Sequence, residues 1–343
     1  MDADRVVRHS VRMDLTGIQG VLPDHTVRAV SMDDVPALLN LVERLTTVVL
    51  GEPEASEAEM RDDLTGAHFD LAKDTFIAVA PDGRATAYGQ GYDERTGTGW
   101  VDVYIDPAID DAFFHSIADA AVAAGVARVA ESAKSRGESA VRVTSNLYET
   151  ETRMRSAYER AGLVVETVYW RLQRPFGSDE VLEQPVVPPG FSVAKVDPGD
   201  DEVIEQAYHL FHETFSEHHG HEGPQKTLAA FVEDHRGAES FDPEAWWFAS
   251  QGENPVGLLI GDDRRAEQGV GYVPAIGVQK PLCGRGIARA LLLSAFADYQ
   301  RRGRGGIQLG VDTGNTTGAT RLYESVGMSS LHSAIALGRD LTL

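Results

Sequence analysis

The feature that most constrains this chain is that it is written twice. "TVRAVSMDDVPALLNLVERL" at 26–45 has a loose counterpart in "SVAKVDPGDDEVIEQAYHLF" at 192–211. Each opens on a short strand, passes an acidic helix start and continues with apolar residues at helical spacing. "TFIAVAPDGRATAYGQGY" at 75–92 answers "WWFASQGENPVGLLIG" at 246–261, both reading as strand, tight turn and strand. "VYIDPAIDDAFFHSIADAAV" at 103–122 answers "IGVQKPLCGRGIARALLLSAF" at 276–296, and "RMRSAYERAGL" at 153–163 answers "GATRLYESVGM" at 318–328. The offsets between matched segments are 166, 171, 173 and 165, so the order is kept with small insertions. A repeat of this length predicts two α/β domains of one fold, over 25–175 and 191–343. Between them, "RPFGSDEVLEQPVVPPG" at 174–190 is rich in Pro, Gly and acids, and 176–190 reads as a linker. Residues 1–24 carry no clear pattern and read as an arm or an extra helix.

A chain of 343 residues is long enough for each half to bury its own core. Its net charge of −22 argues against nucleic acid, since no basic surface would neutralise phosphates. The same field favours small cationic partners such as amines, or serves only solubility. No apolar run approaches the ~20 residues that span a bilayer. The opening "MDADRVVRHSVRMD" lacks the apolar core of a secretory signal. With a single cysteine, Cys283, no internal disulfide can form, and the expected setting is cytoplasmic.

One stretch of the second half bears directly on chemistry. "CGRGIA" at 283–288 joins the β-type run "YVPAIGV" to an amphipathic helix at 287–302, whose Ile287, Leu291, Leu292, Ala295, Phe296 and Tyr299 share a face. Gly284 and Gly286 free the backbone to turn successive N–H groups into one concavity. The unpaired amides of a first helical turn bind phosphate oxygens. Arg285 and Arg289 add charge, with Ile287 and Ala288 completing the turn. An ordinary glycine turn before a helix gives the same letters. Further on, "GGIQLGVDTGNTTGATRLYESVG" at 305–327 reads as a strand, a loop bearing Asn315, and a helix with Ala319, Leu322, Tyr323 and Val326 on one face.

Together these segments resemble the GNAT acetyltransferase superfamily, whose co-substrate is acetyl-CoA. Its pyrophosphate loop, Gln/Arg-x-x-Gly-x-Gly/Ala, falls on Cys283, Gly286 and Ala288. The signature of its last strand and helix falls on Val311, Asp312, Asn315, Ala319, Leu322, Tyr323, Glu324 and Gly327. The resemblance covers about 190–340 directly and 26–175 by way of the repeat. A tandem pair with a divergent first copy is similar to the mycothiol synthase group. The resemblance implies two GNAT-like domains, each a mixed, mostly antiparallel sheet flanked by helices, and N-acetyl transfer to a small-molecule amine. A non-catalytic coenzyme A sensor or scaffold is the alternative. The matching loop of the first half, "IDPAIDDAFFHSI" at 105–117, has no glycine and three acids, so the first copy is not expected to hold coenzyme A. It is expected instead to be structural or to wall the substrate cleft.

By the same resemblance, the N–H of Val278 meets the thioester carbonyl, Ile276 pairs with the pantetheine amides, and Tyr323 protonates the departing sulfur. Tyr323 also reads as a core aromatic, and Asn315 as either a pantetheine contact or a turn residue. Cys283 stands where the family has Gln or Arg; a backbone cradle survives that change, and the thiol reads as small filler or a residue of lowered pKa. Relatives carry a Glu near the start of the strand before the loop, but Gly271-Tyr272-Val273-Pro274 offers no carboxylate. "HLFHETFSEHHGH" at 209–221 supplies substitutes, and Glu213 and His218 are the candidates for the base. A metal site at His218, His219 and His221 or a solvated helix end are the competing readings, but no metal is expected because no HExxH or Cys/His pattern appears. "QRRGRGG" at 300–306 reads as a helix end and turn rather than a nucleic-acid segment.

Overall fold

The computed structural model describes residues 12–66, 69–215, 226–312 and 319–343. His218 and Asn315 lie outside them. The chain divides into two compact units. One takes 12–54, 69–165 and 337–343 of the described residues; the other takes 55–66, 166–336 less the undescribed positions.

The first unit runs through α1 (Thr16–Val21), β1 (Thr26–Arg28) and α2 (Val35–Leu50). After the excursion of α3 (Glu57–Thr65) into the second unit it resumes with α4 (Leu71–Asp74), β2 (Thr75–Val79), β3 (Ala85–Asp93), β4 (Thr98–Ile105), α5 (Asp111–Ser135), β5 (Ala140–Tyr148) and α6 (Thr152–Arg160). β6 (Val164–Pro175) begins in this unit and passes to the second at Glu166. The second unit continues with β7 (Ser192–Lys195), α7 (Asp201–Phe215), α8 (Leu228–Arg236), β8 (Trp246–Gln251), β9 (Asn254–Asp262), β10 (Gly271–Val278), α9 (Ile287–Arg301), β11 (Gly306–Asp312), α10 (Ala319–Ser325) and β12 (Ser329–Thr342). The strand order is β1-β2-β3-β4-β5 and then the end of β12 in the first unit; it is the start of β12 and then β6-β11-β10-β9-β8-β7 in the second. The pairing is antiparallel except β4 with β5 and β10 with β11.

The boundaries differ from those expected at 175 and 191. Residues 166–175 lie in the second unit and Leu337–Leu343 in the first, so most of β6 and the end of β12 each belong to the other half's unit. Glu166–Pro175 goes where its pairing is: Asp312 opposes Tyr169, Gly310 opposes Arg171 and Leu309 opposes Leu172. α3 crosses for the same reason. The Ser56 hydroxyl donates to Arg264 O at 2.7 Å, and the Asp62 carboxylate accepts the N–H groups of Glu239 and Ser240 at 2.5 and 3.1 Å. The linker is not a free tether either. Leu182 is buried in the second unit's core, the Gln300 amide donates to Glu180 O at 2.8 Å, and Glu183 pairs with Arg289 at 2.6 Å.

α5 is, among the described residues, the one helix long and apolar enough by length and composition to cross a bilayer. Its apolar side is used within the first unit, where Phe114, Ile117, Ala121, Val122 and Val129 are buried and α5 packs on β3 and β4. Glycine sets that approach: a Cβ on Gly91 would lie 2.7 Å from Cα and O of Gly125. Backbone cannot give way there. Gly91→Ala is therefore expected to cost about 1–3 kcal/mol, read as a lower urea midpoint; an unchanged midpoint contradicts this packing.

The first unit also buries acids. Asp102 accepts from the Gln90 amide and the Ser145 hydroxyl, both at 3.1 Å. Burial, reinforced by Asp102, pushes Glu151 up to about 7 although its carboxylate accepts the Tyr148 N–H. A carboxyl raised in the folded state stays protonated there while its unfolded counterpart ionises from about 4.3 upward. Stability is therefore expected to fall as pH rises from about 4.3 through about 7, and Glu151→Gln to flatten that fall in thermal melts. An equally steep fall in the variant contradicts the assignment.

Candidate active site

β10 is built to leave its neighbour. It pairs in parallel with β11 only over Gly271–Val273, opposite Ile307–Leu309. Pro274 follows, with no N–H to give a ladder, and the register toward β9 shifts between Tyr272 and Ala275. Beyond it β10 still pairs with β9, through Val278 opposite Gly257, while β11 pairs with β6 out to Asp312. The two strands thus part after Val273. Pro274, inside an apparent strand, is a sequence signal that could have announced this bulge.

The parted edge carries the expected donor. Gln279 gives its N–H to Val256 O at 2.9 Å, toward β9. Alternation then turns Gly277 toward β9 as well, and the N–H and C=O of Ile276 and Val278 toward the opening. Their side chains pack on the core beneath α9, with Val273, Leu309, Val311 and Tyr323. On the opposite face, a Cβ at Gly277 would sit 2.4 Å from Thr214 Oγ1, so only glycine lets the end of α7 lie this close.

The loop that follows has the geometry of an open helix start. Gly284 and Gly286 take φ of +77° and +86°, conformations that cost other residues about 1–2 kcal/mol. Added Cβ atoms there would meet nothing nearer than Pro188 Cγ at 3.8 Å, so space is left around both. Gly286 is the N-cap of α9 and offers no side-chain cap, and the first intrahelical bond runs from Ala290 N to Gly286 O. The N–H groups of Ile287, Ala288 and Arg289 precede that bond and point out of the helix end. Ile287 is fully buried, anchoring the turn, while Cys283, Gly284, Arg285 and Gly286 are exposed. The Cys283 thiol leans on the carbonyls of Val278 and Gln279 at 3.6 and 3.8 Å, a small residue closing the turn. Arg289 faces Glu183 rather than the cradle.

Tyr323 is 6% exposed in the core below α9, and burial pushes its hydroxyl up to about 12, which keeps it a donor at neutral pH. Glu213 stands at the exposed end of α7 and accepts from the Gln279 amide at 3.0 Å, beside the end of β10. Among the described residues no three His, Cys, Asp or Glu side chains come together as metal ligands, and His218, His219 and His221 lie outside them.

The first unit differs at each point. β4 and β5 also part, pairing only at Thr98–Trp100. There the Tyr158 hydroxyl, at the repeat position of Tyr323, donates to Val101 O at 2.8 Å and fills the edge. The start of α5 is capped by the Asp110 carboxylate, which accepts the Phe113 N–H at 3.1 Å.

Residues 204–328 match the acetyltransferase (GNAT) family. This segment is a GNAT domain. Curated relatives of the chain include mycothiol acetyltransferases of Thermobispora bispora, 29% identical over 49% of this chain and 56% of that protein. That of Streptomyces bingchenggensis is 30% identical over 45% of this chain and 49% of that protein. The chain thus spans about half the length of the curated relatives it matches. Among solved structures, a GCN5-related N-acetyltransferase from Sphaerobacter thermophilus is 27% identical, with a TM-score of 0.77 over 93% of this chain and 96% of that one. A tandem GNAT protein from the clavulanic acid biosynthesis pathway shares the fold, at 13% identity and a TM-score of 0.67 over 92% of this chain and 98% of that one. The second half of the chain thus carries a GNAT domain, the chain as a whole shares the fold of a tandem GNAT protein, and it is similar to the mycothiol acetyltransferases.

Proposed function

We propose that the chain is an acetyl-CoA-dependent N-acetyltransferase whose second unit transfers acetyl to a primary amine of a small molecule. The observation that carries this reading is the parted edge of β10 leading directly into an uncapped, glycine-led helix start. The amides of 284–289 supply donors for the pyrophosphate, and the helix dipole favours its charge. The exposed edge of Ile276 offers a strand's worth of donors and acceptors to the pantetheine amides. The Val278 N–H stabilises the oxyanion as the amine's lone pair forms the C–N bond. The C–S bond then breaks, and the Tyr323 hydroxyl gives the sulfur its proton. The net charge of −22 favours a cationic amine as the acceptor, in a reducing, cytoplasmic setting.

The test is thiol release from acetyl-CoA across a panel of amines, including cysteinyl-sugar amines and aminoglycosides, with mass spectrometry of the products. An acetylated amine and one free thiol per turnover are expected. Tight coenzyme A binding with no turnover across the panel would point to a sensor or scaffold instead.

A further inference from the structure

The sequence offered Glu213 and His218 as proton acceptors, and the pairing of β11 supplies another. We propose that Asp312 takes the proton from the attacking amine; this rests on the acetyl transfer proposed above. Ile307, Leu309 and Val311 all enter the core beneath α9, so by alternation Gln308, Gly310 and Asp312 face the opposite side of the sheet. The antiparallel register with β6 agrees, placing Arg171 opposite Gly310 and Tyr169 opposite Asp312, while Leu172, opposite Leu309, enters the core. Asp312 lies three residues past Leu309, as Ile276 lies three past Val273, the last parallel pair. At about 3.3 Å per residue Asp312 stands roughly 10 Å beyond the point of parting, and Ile276 somewhat less because of the bulge before Ala275. The carboxylate is therefore near the level of Ile276, across the opening, with Val278 two residues farther along the same edge.

The two sides of that opening differ. Tyr323 belongs to the core beneath α9, the side on which the glycine-led helix begins. Asp312 is on the other side, where Gly310 is exposed and leaves room: a Cβ there would come no nearer than 3.7 Å to the Tyr272 hydroxyl. Thr167 holds the carboxylate, donating its hydroxyl to Oδ1 at 2.6 Å. A thioester in the opening would thus have its sulfur's proton donor on one face and the amine's proton acceptor on the other.

The rivals fit less well. Glu213 is bonded by Gln279 at the exposed end of α7. His332 is on β12, with β6 between it and β11, and burial with Arg171 and Arg265 pushes it down to about 4. Arg171 and Arg264 lie over the Tyr272 ring and are cations, unable to accept a proton.

The proton count closes. The alkylamine arrives as an ammonium and Asp312 takes its first proton; the freed lone pair bonds to the carbonyl carbon, the C–S bond breaks and the sulfur takes the Tyr323 proton. Solvent carries the nitrogen's second proton to Tyr323 and takes the proton held by Asp312. The products are the amide and the free thiol.

The experiment compares full-length wild type, Asp312→Asn and Asp312→Glu on two accepted amines. One is an alkylamine and the other a weakly basic amine, such as a hydroxylamine, already neutral at pH 7. Asp312→Asn is expected to lower kcat/KM for the alkylamine about 100-fold or more and for the weakly basic amine far less. Coenzyme A affinity should be unchanged, and Asp312→Glu should restore part of the loss. Equal losses on both amines, or an undiminished alkylamine rate, overturns the role alone. A wild type that acetylates no amine overturns the role together with the reading beneath it.

Discussion

Gly286→Glu is expected to weaken coenzyme A binding by more than 100-fold without unfolding the protein. Gly286 holds φ at +86°, which a side chain tolerates at about 1–2 kcal/mol. Its surroundings are open, so the added side chain has room and folding survives. The new carboxylate, however, stands where the pyrophosphate is to sit. A like charge at ~4 Å costs about 1–4 kcal/mol across effective dielectric constants of 80 to 20. Strain and repulsion together come to about 2–6 kcal/mol, a range centred above the ~2.7 kcal/mol that 100-fold requires. Gly286→Ala carries the strain alone and should lose about tenfold. Calorimetry with coenzyme A, alongside a thermal melt of each variant, checks both. Equal losses in the two variants would mean the backbone conformation, not the charge, decides binding.

Tyr323→Phe is expected to lower kcat about 100-fold while leaving coenzyme A affinity and stability nearly unchanged. The ring is packed in the core and the substitution keeps its volume. Burial alone raises its hydroxyl, with no hydrogen bond contributing, so little folding energy leaves with it. What is lost is the proton for the departing sulfur, an effect of general-acid size. Steady-state kinetics with an accepted amine decides it. A variant with full kcat would return Tyr323 to the role of a core aromatic.

Much of the fold was legible because its determinants are local. The Asp82-Gly83 turn between β2 and β3, the apolar face of α9 and the glycines at 284 and 286 each declare themselves within a few residues. Ile287, Leu291, Phe296 and Tyr299 are buried as their spacing requires. What was not legible depends on pairing at a distance. Glu166–Pro175 has the same alternation whichever strand it joins, so its place beside β11 could not be read from its own letters. α3 shows a capped helix start at Ser56, yet that hydroxyl also bonds Arg264, more than 200 residues on. Leu182 sits among prolines and acids that announce a linker, although it is buried. Asp312 had been placed in a family signature without a role. Its direction became meaningful only once β6 fixed which side of β11 faces the core.

The repeat makes the sharpest test a count. The second unit offers a helix start with glycines and no cap, whereas α5 is already capped by Asp110 and its parted edge is filled by Tyr158. Removing the cap by Asp110→Ala should cost about 1 kcal/mol of stability and open no second site. Calorimetric titration of the wild-type chain with coenzyme A should give one site per chain, and the same count in Asp110→Ala. Two equivalent sites, or a single site that survives Gly286→Glu, would contradict the account.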